Sequence, residues 1–218
     1  MAEIYPFEGI YYDSACVPLD RVIAPPYDVL SPAQQDELYE RDPHNIVRIM
    51  LNRQTPHDDE SANCYTRAAG FLSAWLSDGT LVRDSEPAYY EYIQRFTHPG
   101  DASQTVERTT LFVALKLEPY EKGIVLPHEE THPKAKADRL DLMRATHANP
   151  EPIYALYEDP ELRVAELLTQ SRGDRAPLLH ASVSGPTGDG QEEHILYRHA
   201  DSVVVKELGA LWPSDASG

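Results

Sequence analysis

The sequence is poor in cysteine, in basic residues and in long apolar runs, and each scarcity excludes a class of protein. Two cysteines, Cys16 and Cys64, among 218 residues provide neither a disulfide framework nor a thiolate metal motif. The 19 Lys and Arg residues stand against 36 Asp and Glu residues, and the resulting formal charge of -17 argues against binding to nucleic acid or to a membrane surface. No apolar run approaches the roughly 18 residues of a membrane helix, and no signal segment is recognisable. We therefore expect a globular, cytoplasmic protein.

Helix and strand signals are both present, and together they predict an α+β fold with a mixed, mostly antiparallel sheet and packed helices. Caps, prolines and apolar spacings of three and four residues predict helices over residues 32–41, 58–78, 135–147, 159–170 and 203–211. Aromatic and β-branched runs predict strands over residues 46–49, 87–96, 109–117, 123–126, 152–157, 178–184 and 194–198.

Two polar segments are predicted to connect strands. Residues 97–104 are expected to join a long hairpin, and the glycine-rich segment 185–190 indicates a hairpin turn and lacks the residue order of a phosphate-binding loop. We predict a single domain over residues 1–212 and a disordered tail over residues 213–218.

The densest group of chemically useful side chains lies within residues 126–140. His128 and Glu129 are of the types that perform general acid and base catalysis. Candidates to bind a substrate or a phosphate group are Thr131, Lys134, Lys136, Asp138 and Arg139. The alternative is a solvated surface on which Asp138 and Arg139 form an ion pair, and composition leaves both interpretations open.

His128 and His132 also fit the letters of the zinc motif His-Glu-x-x-His. That motif requires a helix, however, and Pro127 and Pro133 flank the pair and interrupt any helix there. We predict no metal site from this pattern.

Two further segments supply candidate residues. Pro25 and Pro26 restrict the backbone before Tyr27 and Asp28, which holds a phenol and a carboxylate stiffly, with a cis bond at Pro26 as one option. A turn that leads into the first helix is the alternative interpretation.

The second segment contains Asn45 and Arg48. Arg48 lies in an apolar stretch and is expected to be buried, either paired with an acidic residue or bound to an anion. Nucleophilic serine or cysteine chemistry is not indicated, because no serine has a Gly-x-Ser-x-Gly context and neither cysteine has a basic neighbour.

Four motifs, taken in chain order, resemble one known family. They are Ala24-Pro25-Pro26-Tyr27-Asp28-Val29, Pro43-His44-Asn45-Ile46-Val47-Arg48, His128-Glu129-x-Thr131 with Asp138-Arg139-Leu140, and Asn149 with Pro152-Ile153. Their order and spacing resemble the bacterial family catalogued as domain of unknown function 1015, over about residues 5–212.

The resemblance implies more than a family. Members are often labelled as similar to ParB-type proteins, and the ParB/sulfiredoxin fold includes free-serine kinases, so a partly ParB-like fold is implied. It also implies a phosphotransferase that uses ATP or ADP with Mg²⁺ and acts on a small hydroxyl metabolite such as serine. In that scheme His128, Glu129 and Asp28 are catalytic, with Asp28 near Mg²⁺, while Tyr27, Asn45 and Arg48 join the substrate-binding and phosphate-binding residues of segment 126–140.

One departure from the family pattern qualifies that expectation. Longer members carry an Asp-Gly-His-His-Arg element, which this sequence lacks. We therefore expect the amino-terminal part of a longer architecture, which is a fragment, a truncated paralogue, or a half for which a homo-oligomer or a second chain supplies the missing element. The alternative is a non-catalytic ligand-binding or assembly domain.

Overall fold

The computed structural model describes residues 2–184 and 191–211 and divides the chain into two compact units. The sheet unit comprises Met1–Gly9, Asp84–His128 and Ala155–Gly218, and the helical unit comprises Ile10–Arg83 and Glu129–Tyr154. The single domain predicted over residues 1–212 stays a prediction. The predicted turn at 185–190 and the predicted tail at 213–218 lie outside the described residues.

The chain contains helices together with antiparallel sheets, which confirms the α+β class. The strands are β1 (Ile4–Tyr5), β2 (Ile10–Tyr12), β3 (Leu81–Arg83), β4 (Tyr89–His98), β5 (Asp101–Phe112), β6 (Ala114–Leu115), β7 (Leu179–Ser184) and β8 (Gln191–His199). The helices are α1 (Leu19–Val22), α2 (Pro32–Arg41), α3 (Val47–Met50), α4 (Cys64–Ser77), α5 (Pro133–Thr146), α6 (Arg163–Arg172) and α7 (Ser202–Ala210), with 3-10 turns at Tyr27–Val29 and Tyr120–Lys122.

An antiparallel sheet with the strand order β5-β4-β8-β7 forms the centre of the sheet unit. β4 and β5 form the predicted hairpin, but their pairing continues to His98 and Asp101. The connection is therefore Pro99-Gly100, which is much shorter than the predicted segment 97–104. β7 and β8 also form where the sequence predicts strands.

The core of the sheet unit lies on one face of this sheet. Because side chains alternate along β4, Tyr89 and Glu91 face one way and Tyr90 faces the other. Helices α6 and α7 cover the first face, where the buried cluster consists of Ile4, Tyr89, Val164, Leu168 and Leu208. Burial of each large apolar side chain stabilises the unit by roughly 1.5–3 kcal/mol.

Helix α2 in the helical unit begins and ends where the sequence predicts. The Ser31 hydroxyl accepts a hydrogen bond from the Gln34 backbone N–H at 3.3 Å, and the Gln34 side chain accepts one from the Ser31 N–H at 2.9 Å. This capping box and Pro32 at the first helical position fix the start of the helix.

Helix α4 begins later than predicted. Asn63 caps it by accepting hydrogen bonds from the N–H groups of Tyr65 and Thr66 at 3.0 and 3.1 Å. The residues just before it form a turn, in which Asp59 accepts a hydrogen bond from the Ser61 N–H at 2.7 Å. The helix contacts both α3 and α5 and buries Trp75.

Three predicted strands are wrong. Residues 46–49 lie mostly in helix α3, because a short apolar run also suits a buried helical turn. Residues 123–126 form no strand among the described residues; Gly123, with φ 66°, ends a 3-10 turn. Residues 152–157 likewise have no partner strand there, and Ile153 is 92% exposed.

Two further findings concern the backbone. The described residues contain no cis peptide bond, so the cis option at Pro26 is wrong. Within the same residues, no helix combines the length and apolar character required to cross a membrane.

Candidate functional site

Helix α5 positions the central residues of the predicted site. Pro133 occupies its first turn, and Leu142 and Thr146 are buried. His147 ends the helix in a left-handed conformation with φ 51°, and its N–H donates to the Met143 carbonyl at 2.9 Å. The predicted helix is thus confirmed to within two residues at its start and one at its end.

Arg139 on α5 is held by four hydrogen bonds. Its Nε and Nη2 donate to Asp138 Oδ2 at 2.9 and 2.5 Å, and its Nη1 donates to the Met50 carbonyl at 2.9 Å and to Glu151 Oε2. A guanidinium has five N–H donors, so the described contacts leave one Nη2–H over. Arg139 therefore has little capacity to bind a phosphate group without giving up a partner.

Tyr27 and Glu151 complete this cluster. The guanidinium carbon of Arg139 lies 3.8 Å from the centre of the Tyr27 ring, which is a cation–π contact. The Tyr27 N–H donates to Glu151 Oε1 at 3.0 Å. Glu151 thus joins the Pro-Pro-Tyr-Asp segment to helix α5, although 124 residues separate it from Tyr27.

The electrostatics of Glu151 result from two opposing effects. Burial raises the pKa of its carboxyl group, while the Tyr27 N–H and the charge of Arg139 act to lower the pKa, and burial prevails. For Arg139, burial acts to lower the pKa, but the hydrogen bonds and charges of Asp138 and Glu151 outweigh burial and raise it. The guanidinium stays charged, and Glu151 is the titratable group of the pair.

A cleft of about 330 Å³ opens beside this cluster in the helical unit. Tyr65 on α4 donates its hydroxyl to Asp138 Oδ1 at 2.8 Å, and burial, together with that carboxylate, raises the pKa of the phenol. The lining residues are Gln35, Ile49, Met50, Leu51, Asn52, Gln54, Cys64, Tyr65, Asp138, Arg139 and Leu142. Polar side chains thus make up about half of this lining, and two of them, Asp138 and Arg139, are fixed by hydrogen bonds.

The other predicted residues of segment 126–140 lie exposed at or before the start of α5. They are His128, Glu129, Thr131, Lys134 and Lys136. His128 belongs to the sheet unit and the other four to the helical unit. Among the described contacts, none of these side chains forms an ion pair or hydrogen bond with another of the set.

Asp28 is exposed, but it lies close enough to Glu151 for its negative charge to raise the pKa of that carboxyl group. Burial is the other, larger effect that raises this pKa. The structure thus brings Tyr27, Asp28, Asp138 and Arg139 into one neighbourhood. The catalytic roles predicted for Asp28, His128 and Glu129 stay predictions.

Asn45 is fully buried and bound to backbone groups. Its side-chain amide donates to the carbonyls of Arg21 and Ile23 at 2.7 and 3.2 Å, and its Oδ1 accepts from the Val47 N–H at 3.0 Å. These contacts hold the turn before α3. The phosphate-binding role predicted for Asn45 stays a prediction and has no support from this placement.

Arg48 has a different partner from the expected one. It donates to the Tyr39 carbonyl at 2.7 Å, and its guanidinium carbon lies 4.4 Å from the centre of the Tyr39 ring. Of the two alternatives for Arg48, the ion pair is absent, because no carboxylate among the described residues pairs with this side chain. The anion-binding alternative stays a prediction. Stacking on an aromatic ring offsets part of the cost of its burial.

Sequence reasoning missed Glu151 and Tyr65. Glu151 lies between Asn149 and Pro152, which both belong to the fourth family motif. That position is the one feature of the sequence that could have marked Glu151 as a candidate site residue. Tyr65 was assigned to the apolar face of α4 by its spacing. Its hydroxyl reaches Asp138, which is 73 residues away.

The neighbourhood of Asp28 does not fit a protein-bound Mg²⁺. Asp28 and Glu151 supply two carboxylates, but Glu151 is already bound to Arg139 and the Tyr27 N–H. Within residues 2–184 and 191–211, no group of three or more His, Cys, Asp or Glu side chains is arranged to hold a metal ion.

Fold and cleft together describe an α+β protein with a cleft of mixed polar and apolar lining in its helical unit. The chain belongs to the family described as protein of unknown function (DUF1015), whose family model matches residues 4–214. Comparisons with curated proteins and with solved structures find no match. The family resemblance carried by the four motifs is thereby confirmed, while the ParB-type part receives no support and stays a prediction.

Proposed function

We propose that the helical unit binds a small polar metabolite in the cleft beside Asp138 and Arg139. The supporting observation is the Asp138 carboxylate, which Tyr65 and Arg139 hold in the wall of a cleft of about 330 Å³. A carboxylate fixed by two partners keeps further acceptor capacity and costs little reorganisation when a ligand arrives. The volume suits a metabolite rather than a large cofactor.

The charges around the cleft indicate the ligand class. When both carboxylates are ionised, the group of Asp138, Glu151 and Arg139 has a net charge of -1. A ligand with an ammonium group and a hydroxyl complements that balance, because the ammonium finds an acceptor carboxylate and the hydroxyl finds the polar rim. Serine, the metabolite implied by the family resemblance, is the first compound to test.

Ligand binding is tested by thermal unfolding and calorimetry of the full chain with serine, ethanolamine and glycerate. A ligand that binds the folded state raises Tm, and the shift grows roughly with the logarithm of the ligand concentration. We expect serine and ethanolamine to raise Tm and glycerate to leave it unchanged. Asp138→Asn should abolish the shift.

The matched control is Asp141→Asn, an exposed carboxylate on the same helix that does not line the cleft. That variant should bind as the wild type does. Unchanged binding by Asp138→Asn, or no Tm shift with any of the three compounds, would contradict the proposal.

A second candidate function is phosphotransfer, and the start of α5 favours it. The helix has no side-chain cap, and Lys134 and Lys136 stand in its first turn without ion pairs among the described residues. Uncapped N–H groups and nearby lysines suit a phosphate group. In this proposal Thr131, Lys134 and Lys136 bind the phosphates of ATP or ADP, with Mg²⁺ bound mainly by the nucleotide.

Phosphotransfer is tested by incubating the chain with serine, Mg²⁺ and either ATP or ADP, and measuring phosphoserine. The enzyme is supported if phosphoserine forms and if the Lys134→Ala and Lys136→Ala substitutions, combined in one variant, reduce its formation. Binding of serine without phosphoserine supports the non-catalytic alternative. We further propose a cytoplasmic location, which the free thiols of Cys16 and Cys64 fit, and assembly with a second copy or a second chain, which analytical ultracentrifugation tests.

A further inference from the structure

Three side chains of the sheet unit form a hydrogen-bonded chain, and none of them is among the residues that line the cleft. Ser171 Oγ on α6 lies 2.8 Å from His199 Nδ1 at the end of β8, and His199 Nε2 lies 3.2 Å from Glu91 Oε2 on β4. His199 and Glu91 are each 1% exposed, whereas Ser171 is only partly buried. A buried carboxylate and a buried imidazole thus connect to the hydroxyl of a residue that is partly exposed.

The fold brings these residues together from distant parts of the chain. Antiparallel pairing of β4 with β8 places His199 opposite Tyr89, on the face that also carries Glu91. Helix α6 packs on that face through the buried Leu168, and Ser171 follows it by three residues on the same side of the helix.

The hydrogen-bond pattern fixes the direction of proton transfer. Glu91 Oε1 also accepts from Arg172 Nη1, as expected for an ionised carboxylate. A carboxylate only accepts, so His199 Nε2 must carry the proton that is shared with Glu91. In the neutral ring, Nδ1 is then the acceptor, and Ser171 donates its hydroxyl proton to that atom.

Arg175 adds a positive charge beside the same hydroxyl. Its Nη2 lies 3.3 Å from Ser171 Oγ and 2.5 Å from the Ser171 carbonyl oxygen. A guanidinium at that place stabilises negative charge on the serine oxygen and attracts an anionic substrate. Serine hydrolases use the same three residue types with the two ring nitrogens exchanged, and proton abstraction requires only that the acceptor nitrogen face the serine.

We propose that Ser171 is a nucleophile that takes the acyl group of a small anionic ester, with His199 as its general base. In the first step the Ser171 oxygen forms a bond to the acyl carbon, the ester C–O bond breaks, and the hydroxyl proton passes through His199 to the departing alkoxide. In the second step water attacks the acyl-serine, loses a proton to His199, and releases the carboxylic acid while Ser171 regains its proton. Glu91 is a positioning residue that holds the tautomer of His199.

The test uses a fluorophosphonate probe on the folded full chain, followed by peptide mapping in a mass spectrometer. In the labelling reaction the Ser171 oxygen bonds to phosphorus, fluoride leaves, and His199 takes the proton. We expect one adduct, at Ser171. Ser171→Ala should remove it, and the chain unfolded in urea should remain unlabelled.

Variants distinguish a reactive serine from a purely structural network. His199→Gln should slow labelling by about 10²–10⁴-fold, the usual contribution of a general base. Glu91→Gln and Arg175→Ala should each slow labelling of the folded protein at the same probe concentration. Because Arg175 also donates hydrogen bonds to the carbonyls of Arg172 and Arg198, circular dichroism checks the fold of that variant. Ser182→Ala, an exposed serine on β7, is the matched control and should label as the wild type does.

The wild-type peptide map does not depend on the folding of any variant. Labelling of the folded chain at the rate of the unfolded chain, or spread over several serines, would overturn the proposal. Full labelling speed in folded His199→Gln or Arg175→Ala would do the same.

Discussion

At the scale of single residues, Arg139 depends on its neighbour Asp138, on Glu151 twelve residues later, and on the distant carbonyl of Met50. The surface pair with its neighbour Asp138 was one of two interpretations of the sequence, and that pair is present. The structure adds Glu151, with both side chains about one-fifth exposed. Two carboxylates offset the desolvation cost of a half-buried guanidinium better than one does. Loss of Glu151 would leave Arg139 with a single charged partner, and this makes Glu151 important for the stability of the cluster.

Substitution of Glu151 should therefore destabilise the chain. Glu151→Ala removes one partner of Arg139 and leaves the Tyr27 N–H without its acceptor, and we expect a loss of about 1–3 kcal/mol in the free energy of unfolding. Glu151→Gln keeps an acceptor for Tyr27 and should lose less. Urea denaturation at pH 7 measures both.

Glu130→Ala is the control for this prediction, because Glu130 is exposed and forms none of the described ion pairs. Its free energy of unfolding should stay within about 0.5 kcal/mol of the wild type. A Glu151→Ala variant as stable as Glu130→Ala would show that the cluster contributes nothing to folding.

At the scale of elements, local signals predicted helices better than strands. Ser31 and Pro32 fixed α2 to the residue, because a cap and a proline act within one turn. The strand predicted at 152–157 failed because a strand needs a neighbour to bond with, and its own residues cannot provide one. The hairpin β4/β5 succeeded, since its two strands are adjacent in the chain.

The cap of α4 gives an element-scale prediction. Asn63→Ala leaves the N–H groups of Tyr65 and Thr66 without their side-chain acceptor and should lower the free energy of unfolding by about 0.5–2 kcal/mol. Asn63→Asp should keep most of the wild-type free energy of unfolding, because an aspartate oxygen also accepts hydrogen bonds at the cap. Urea denaturation and far-ultraviolet circular dichroism measure the effect.

Ser73→Ala, at an exposed position inside the same helix, is the matched control. Alanine has the higher helix propensity, so that variant should be as stable as the wild type or slightly more stable. Equal stability of Asn63→Ala and wild type would contradict the role of the cap.

At the scale of the whole molecule, charge dominates. The formal charge of -17 creates repulsion at pH 7 that weakens as pH falls toward the pI near 4.8. Hydrogen bonds lower the pKa of several carboxyl groups in the folded chain, those of Glu3 (through Lys116), Asp58 (through Arg67), Asp59 and Asp101 (through serine side chains), Asp78 (through the Thr80 N–H) and Glu118 (through Lys122).

These two effects predict a maximum of stability between about pH 5 and 6, at the acidic end of the range of about pH 5 to 8 in which many proteins are most stable. Carboxyl groups with a lowered folded pKa stabilise the folded state above their ordinary values of 3.8 for Asp and 4.5 for Glu, and this stabilisation is lost as pH falls below them. Urea denaturation between pH 3 and pH 7 should show a rise from pH 7 to the maximum and a steep fall below about pH 4.

Salt provides the control. At 1 M NaCl the Debye length is about 3 Å, so screening should reduce the gain between pH 7 and the maximum while leaving much of the acid loss from directly hydrogen-bonded carboxylates. A stability that is constant from pH 7 down to pH 3 would contradict the prediction.

The sequence by itself determined the α+β class, the family and the bounds of α2 to the residue. It also identified Tyr27, Asp28, Asp138 and Arg139 as members of the family motifs. These features depend on spacing, caps and residue type, which act over a few positions. Only the tertiary structure decided that Glu151 and Tyr65 complete the Arg139 cluster and that Ser171, His199 and Glu91 form one hydrogen-bonded chain. The hydrogen-bonded partners Tyr65 and Asp138, Tyr27 and Glu151, Glu91 and His199, and Ser171 and His199 are 28 to 124 residues apart and meet through packing and strand register, which no local pattern in the sequence encodes.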